Sequence, residues 1–246
     1  MIGWTMLLGH HMRALGREDL PSDIILEGNV LRLVETFKHT FVTAVGVYER
    51  EGERVVLKCY RKAPLFGIPM AWAGRLMAAH EAAVMRQVED IEGVPRFRGR
   101  YDSASTVRDY VPGAPLRRDS KVGEEFFPGL FRLLRELHAR GLAYVDLEKA
   151  ANILVGDDGR PYLVDFQLAF RLPGKFLGRT RLARALRHLL QQADLYHARK
   201  HFRRVMRERL TDEQIARLRP RPWFVRVANL IYAPFKKLRR RILRKG

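Results

Sequence analysis

Arg54-Val55-Val56-Leu57-Lys58-Cys59-Tyr60 is a largely apolar run, broken by Lys58, that reads as a strand whose side chains alternate between two faces. The strand has a period of two, and Glu51-Gly52-Glu53 just before it predicts a hairpin. Two short apolar runs, Ile153-Leu154-Val155 and Tyr162-Leu163-Val164, flank Gly156-Asp157-Asp158-Gly159. Those intervening residues tolerate positive φ, so a second hairpin is expected there. Elsewhere the period lengthens to that of a helix. Residues 69–88 show it, with Leu76, Val84 and Val88 among the apolar positions. Residues 124–140 show it again, and Gly141 is placed to stop that helix. A third helical stretch covers residues 181–209, and Thr211-Asp212-Glu213-Gln214 reads as a capping box opening one more helix.

The second hairpin changes the picture because of what flanks it. Asp146 and Asn152 precede its first strand and Asp165 follows its second, so the hairpin gathers three oxygen-bearing side chains at one rim. One carboxylate can take a proton from a hydroxyl. An amide oxygen and a second carboxylate can hold Mg²⁺. Phosphoryl transfer from ATP needs that set. The plainer alternative is an α+β domain in which Asp and Asn serve only turns.

Residues 137–170 resemble the catalytic and metal-binding loops of the protein-kinase-like superfamily. Within it they look most like the small bacterial kinases that phosphorylate lipopolysaccharide core sugars. The likeness extends over roughly residues 30 to 170. Tyr144-Val145-Asp146-Leu147 stands where His-Arg-Asp-Leu is usual, and Asp165-Phe166-Gln167 where Asp-Phe-Gly is usual. Asn152 lies one residue further from Asp146 than the common spacing. The resemblance implies a two-lobed α+β fold with a small β-rich N-lobe and a larger, mainly helical C-lobe. The small lobe with its N-terminal extension spans 1–108, the hinge 109–113, the large lobe 114–222, and a basic tail 223–246.

It also implies roles. Asp146 is the catalytic carboxylate, and Asn152 and Asp165 are the Mg²⁺ ligands. Lys58 matches the lysine of the Val-Ala-Ile-Lys strand and contacts the α- and β-phosphates. Glu81 orients it, with Glu89 as alternate. The backbone carbonyl of Asp109 and the amide of Val111 meet adenine, and Arg108 stands beside that pocket where an apolar residue is more usual. The nucleotide-covering stretch, Glu35 through Ala44, contains no glycine. Lys38 and His39 in it read equally as phosphate contacts or as a solvated turn. His138 reads as a structural packing residue and His80 as solvent-facing. A long activation segment ending in Ala-Pro-Glu is missing after Phe170.

Composition adds less, except for charge. The chain has 246 residues, 47% of them hydrophobic, enough for a sizeable core. A single cysteine, Cys59, excludes an intrachain disulfide, and no cluster has zinc spacing. Residues 1–170 hold 23 Lys+Arg and 23 Asp+Glu, whereas residues 171–246 hold 23 and 4. The whole excess of +19 therefore follows the metal-binding loop, and it points to a polyanion. Trp223, Val227, Leu230 and Ile231 can share a helical face beside the basic run 236–245. That pairing suits an interfacial helix on an anionic membrane better than nucleic acid, and better than an ordinary last helix with a solvated basic end. The start of the chain lacks the pattern of a secretory signal. The expectation is an ATP- and Mg²⁺-dependent kinase at the inner face of the cytoplasmic membrane, phosphorylating a sugar of lipopolysaccharide core or a related envelope glycolipid. A compact RIO-like protein serine/threonine kinase and a membrane-bound pseudokinase module are the alternatives.

Overall fold

The computed structural model of the chain describes residues 13–65, 67–171, 180–211 and 213. They divide into two compact units, 13–89 with 95–110, and 90–94 with the described residues from 111 onward. The expected capping box and the tail 223–246 lie outside the described residues, apart from Thr211 and Glu213.

The first unit is a six-stranded antiparallel sheet with one helix. The strands are β1 (Asp23–Leu26), β2 (Asn29–His39), β3 (Thr43–Arg50), β4 (Glu53–Tyr60), β5 (Phe97–Asp102) and β6 (Ser105–Asp109). Their order is β1-β2-β3-β4-β6-β5. Two of the hairpins close on the same dipeptide. Glu27-Gly28 and Glu51-Gly52 all have positive φ, between 50° and 87°. A two-residue loop with positive φ at both centres matches the twist of the flanking strands, and glycine supplies the second position without strain.

Alternation along β4 sorts its side chains onto two faces. Val55, Leu57 and Cys59 join Val107 in an apolar cluster completed by Leu15, Leu20, Ile24, Leu31, Ala44 and Tyr48. Val56, Lys58 and Tyr60 point the other way. Helix α1 (Ala71–Val88) buries Gly74, Ala78, Glu81, Ala82, Val84, Met85 and Val88, a single face at helical spacing. Gly74 is required there, because a Cβ would come within 2.1 Å of the Arg61 carbonyl oxygen. Leu76, expected on the apolar face, lies instead on the outer side of the helix and is 62% exposed. His80 is half-buried rather than solvent-facing.

The second unit holds a three-stranded antiparallel sheet in the order β7 (Gly113–Pro115), β8 (Ile153–Gly156), β9 (Pro161–Leu163). Helix α2 (Phe126–Ala139) buries Phe126, Phe127, Leu130, Leu133, Leu134 and Leu137. Gly141, with φ 78°, ends it as expected, and its N–H donates to the carbonyl of His138. Helix α3 (Arg181–Val205) opens on Thr180, whose hydroxyl accepts from the N–H of Ala183. It stops at Val205, and residues 207–209 form a 3-10 turn, so the helical stretch is shorter than its periodicity suggested. Among the described residues no helix is long and apolar enough to cross a membrane.

Candidate functional site

In the first unit, β4 delivers Lys58 to the helix-covered face of the sheet. Its Nζ donates to Oε1 of Glu81 at 2.8 Å, with side chains 8% and 2% exposed. A buried ion pair loses hydration on both sides and is tolerated only when other donors fill the remaining lone pairs. Here they do. The Tyr60 hydroxyl donates to Oε2 of Glu81 at 2.6 Å, and the Thr106 hydroxyl to the same oxygen at 3.0 Å. Lys58 and Thr106 are cross-strand partners, which is why both reach Glu81. Glu89, the alternate partner, sits at the exposed end of α1.

Further along β6, Arg108 is paired with Val56 and lies on the same face as Lys58. One of its guanidinium nitrogens donates to the Asp109 carbonyl oxygen at 3.3 Å. That is the oxygen expected to meet adenine. The Asp109 carboxylate accepts from Nε of Arg98 at 2.6 Å. In the second unit, Val111 is buried at the start of the segment leading to β7.

The glycine-free stretch is not an open loop. β2 continues to His39, and β3 resumes at Thr43. The turn between them is closed by the Thr40 N–H donating to the Thr43 carbonyl and the Thr43 N–H donating to the Thr40 hydroxyl. Threonine side chains do here what glycine permits elsewhere. His39 is withdrawn from any phosphate role. The N–H of Leu15 donates to its Nε2 at 3.2 Å, and the Arg13 guanidinium sits against its Nδ1. Burial, then Arg13, lower its pKa. Lys38 is exposed on β2.

In the second unit the loop that carries Asp146 is built from two 3-10 turns, Asp146–Glu148 and Ala150–Asn152. Asn152 Nδ2 donates to the Asp146 carbonyl at 3.1 Å and to its Oδ2 at 3.0 Å. The amide nitrogen is thereby committed to Asp146, and Asn152 Oδ1 is left as an acceptor. Lys149 Nζ also donates to Oδ2 of Asp146. The N–H of Val164 donates to the Asn152 carbonyl at 3.0 Å, which ties the end of β9 to the loop and places Asp165 just beyond. Asp165 has φ 72°. So Asp146 and Asn152 touch, and Asp165 follows the strand that is bonded to Asn152.

Tyr144 explains its departure from the usual histidine. Its hydroxyl donates to the Val164 carbonyl, and its ring meets Phe166 edge-on at 5.2 Å. The next residue, Val145, is the centre of a γ-turn. The Asp146 N–H donates back to the Tyr144 carbonyl at 2.9 Å, with Val145 at φ 69°, ψ −43°. This form of γ-turn is rare and strained.

Residues of α3 that sequence reasoning missed hold this loop in place. Asp194, fully buried, accepts from the N–H of Tyr144 at 2.7 Å and the N–H of Val145 at 2.8 Å. His138 lies 3.0 Å from the same carboxylate, so its structural role is polar rather than packing. Gln191 Nε2 donates to the carbonyls of His138 and Leu142, and His201 Nε2 to that of Leu147 at 2.8 Å. Positions 191, 194, 198 and 201 share one helical face, and Ala198 is fully buried among them. The available signal was this row of uncharged, small or acidic residues on a helix otherwise crowded with arginine. In the second unit, two buried side-chain atoms lack a hydrogen-bond partner among the described residues, Oε1 of Gln167, at the usual glycine position, and Nδ1 of His197.

No family model matches the chain, and no curated protein matches it. Among solved structures it is similar to Rio2 kinase from Chaetomium thermophilum in its ADP/Mg²⁺-phosphoaspartate complex. The TM-score is 0.51 at 18% identity, over 70% of this chain and 56% of that one. A second structure of Rio2 kinase from the same organism matches with TM-score 0.51 and 18% identity, over 70% of this chain and 57% of that one. This chain spans little more than half the length of these neighbours. A small sheet unit with its buried Lys–Glu pair, a second unit with its aspartate loop, and this likeness together give the chain a protein-kinase-like α+β fold.

Proposed function

We propose that the chain is an ATP- and Mg²⁺-dependent phosphotransferase acting on a hydroxyl acceptor. The observation that carries this reading is the Lys58–Glu81 pair, buried and satisfied by Tyr60 and Thr106. A buried ion pair is a poor route to stability, but it fixes an ammonium where phosphates can be met. In this reading Lys58 binds the α- and β-phosphates, and the Asp109 carbonyl and Val111 amide take adenine. The donors Asn152 Oδ1 and the Asp165 carboxylate fit Mg²⁺, which prefers hard oxygens and completes its shell with water and phosphate. When bound, the ion neutralises charge on the phosphate oxygens. Asp146 orients the acceptor hydroxyl and takes its proton as that oxygen bonds to the γ-phosphorus. The bond from phosphorus to the bridging oxygen breaks, and ADP leaves. The Rio2 kinase complex with ADP and Mg²⁺ supports the choice of nucleotide and ion.

Of the acceptors the sequence raises, a protein hydroxyl draws support from the likeness to Rio2 kinases. A sugar of lipopolysaccharide core or a related glycolipid draws support from the resemblance over residues 137–170. Attachment to the inner face of an anionic membrane, through the basic tail, belongs to the same proposal. A second reading, a nucleotide-binding module without transfer, rests on one observation, that Oδ2 of Asp146 is engaged by both Lys149 and Asn152.

Calorimetry of ATP with and without Mg²⁺, for wild type and Asp165→Ala, tests the proposal. Mg²⁺-dependent binding lost in the variant is expected. Wild-type protein that ignores ATP would end it. Labelled ATP with envelope glycolipids beside a generic protein substrate then separates transfer from binding alone.

A further inference from the structure

A cavity of about 340 Å³ in the second unit adjoins the catalytic loop. Its walls include Ala150, which begins the 3-10 turn ending at Asn152. They also include His201, whose ring is bonded to the Leu147 carbonyl next to Asp146. The rim is basic. Arg117, Arg118 and Arg204 line it, against one acid, Asp119. Arg117 and Arg118 are presented by a tight turn, in which the Arg117 N–H donates to the Ser120 hydroxyl and the Ser120 N–H to the Arg117 carbonyl. Arg204 comes from the last turn of α3.

The state of these arginines matters. Arg13, Arg54, Arg98, Arg140 and Arg160 are each paired with a carboxylate. Arg117, Arg118 and Arg204 are exposed and carry no ion pair among the described residues. Three unpaired guanidinium groups around one hollow repel one another and are stabilised by an anion. Phosphate matches their planar forks in pairs of parallel hydrogen bonds. The volume holds a single small group, not an extended chain.

We propose that this cavity is an acceptor subsite for a phosphate monoester. The compound that receives phosphate at Asp146 is then a small polyhydroxyl molecule or headgroup that already carries one phosphate, held by Arg117, Arg118 and Arg204. This inference rests on the phosphotransferase reading for the identity of the acceptor, but the anion site can be measured without nucleotide.

The experiment is calorimetric titration of the full chain with glucose 6-phosphate, glucose, and a phosphoserine peptide. The same titrations are run on Arg117→Gln/Arg118→Gln/Arg204→Gln and on the matching triple lysine variant. Glucose 6-phosphate is expected to bind at least tenfold more tightly than glucose. The glutamine variant should lose that preference, and the lysine variant should keep part of it, with circular dichroism melts confirming that all three proteins fold. Equal binding of the sugar and its phosphate by wild type overturns the proposal. So does an unchanged preference in the glutamine variant, or selective capture of the phosphopeptide. A wild-type protein that shows the phosphate preference but ignores MgATP leaves the anion site standing and removes the phosphotransferase reading instead.

Discussion

Val145 shows how tightly the aspartate loop is specified. A β-branched residue at φ 69° is held in a conformation that costs on the order of 1–3 kcal/mol. The γ-turn sets the backbone that leads into Asp146, while the N–H of Val145 donates to Oδ1 of Asp194. Val145→Gly relieves that strain but makes the unfolded chain more flexible by about 1 kcal/mol. The expected outcome, against the usual cost of a new glycine, is unchanged stability or a gain of about 1 kcal/mol in chemical denaturation. A loss of 2 kcal/mol or more would mean the turn is not strained. Asp146→Asn tests the proposed base. Steady-state kinetics should show a fall in transfer of roughly 10²–10⁴ with ATP affinity within a few-fold. Near-normal turnover in that variant would remove Asp146 from the mechanism. Asp146 and Asn152 could be placed from the hairpin they precede, whereas Lys58 and Glu81 were singled out by resemblance to kinase motifs; the structure brings each pair into hydrogen-bond contact. The strain at Val145 was not, because φ is set by what surrounds a residue and not by its neighbours in the chain.

At the scale of elements, α3 is the part that sequence reading understood least. Its periodicity announced a helix, and its arginines suggested only a charged surface. Asp194, Gln191 and His201 act on carbonyls and amides about fifty residues earlier, and no local pattern encodes such contacts. Leu76 failed in the opposite sense, since an apolar residue in a helical repeat says nothing about which face the sheet will cover. Asp194→Ala leaves two backbone N–H groups without their acceptor, each costing about 1–3 kcal/mol. Melting and denaturant curves should show a loss of roughly 3 kcal/mol or more, and Asp194→Asn, which keeps one oxygen, a smaller one. Equal stability of all three proteins would show that the clamp is incidental. His197 gives α3 a pH dependence. Burial lowers its pKa to about 4, with Lys200 and His201 adding and Glu148 and Asp194 opposing. The folded state therefore favours the neutral ring while the unfolded chain protonates near 6.5. Stability from this residue is complete above about pH 6.5 and is lost as pH falls toward 4, by on the order of 3 kcal/mol at most. The melting temperature should drop over that window, and His197→Leu should flatten the drop. A wild-type profile that stays level from pH 7 to 4.5 contradicts it.

For the whole molecule, charge is the property with reach. The surplus of 19 positive charges lies entirely after residue 170, and eight of the basic residues fall in 223–246. Removing 223–246 should release the protein from anionic vesicles in co-sedimentation, more readily still at high salt, since each Lys or Arg near the surface contributes about 1 kcal/mol that salt screens. Full pelleting of the truncated chain would place attachment elsewhere. Unfolding on truncation would show that Trp223 and its neighbours belong to a core. The expectation of two lobes came from the resemblance to the kinase-like superfamily, since strand and helix periods place elements but not the boundary between them. The clamp from α3 has a further consequence for how the protein is made. Synthesis proceeds from the N-terminus, and domains tend to form in that order. Residues 144 to 165 leave the ribosome before Asp194 exists to receive the amides of Tyr144 and Val145. A nascent chain ending at residue 190 can hold the Lys58–Glu81 sheet in its final form while the aspartate loop is still unset. The set form of the aspartate loop, and with it the proposed phosphotransfer, is thus a late event in the life of each new chain, timed by the arrival of one buried carboxylate.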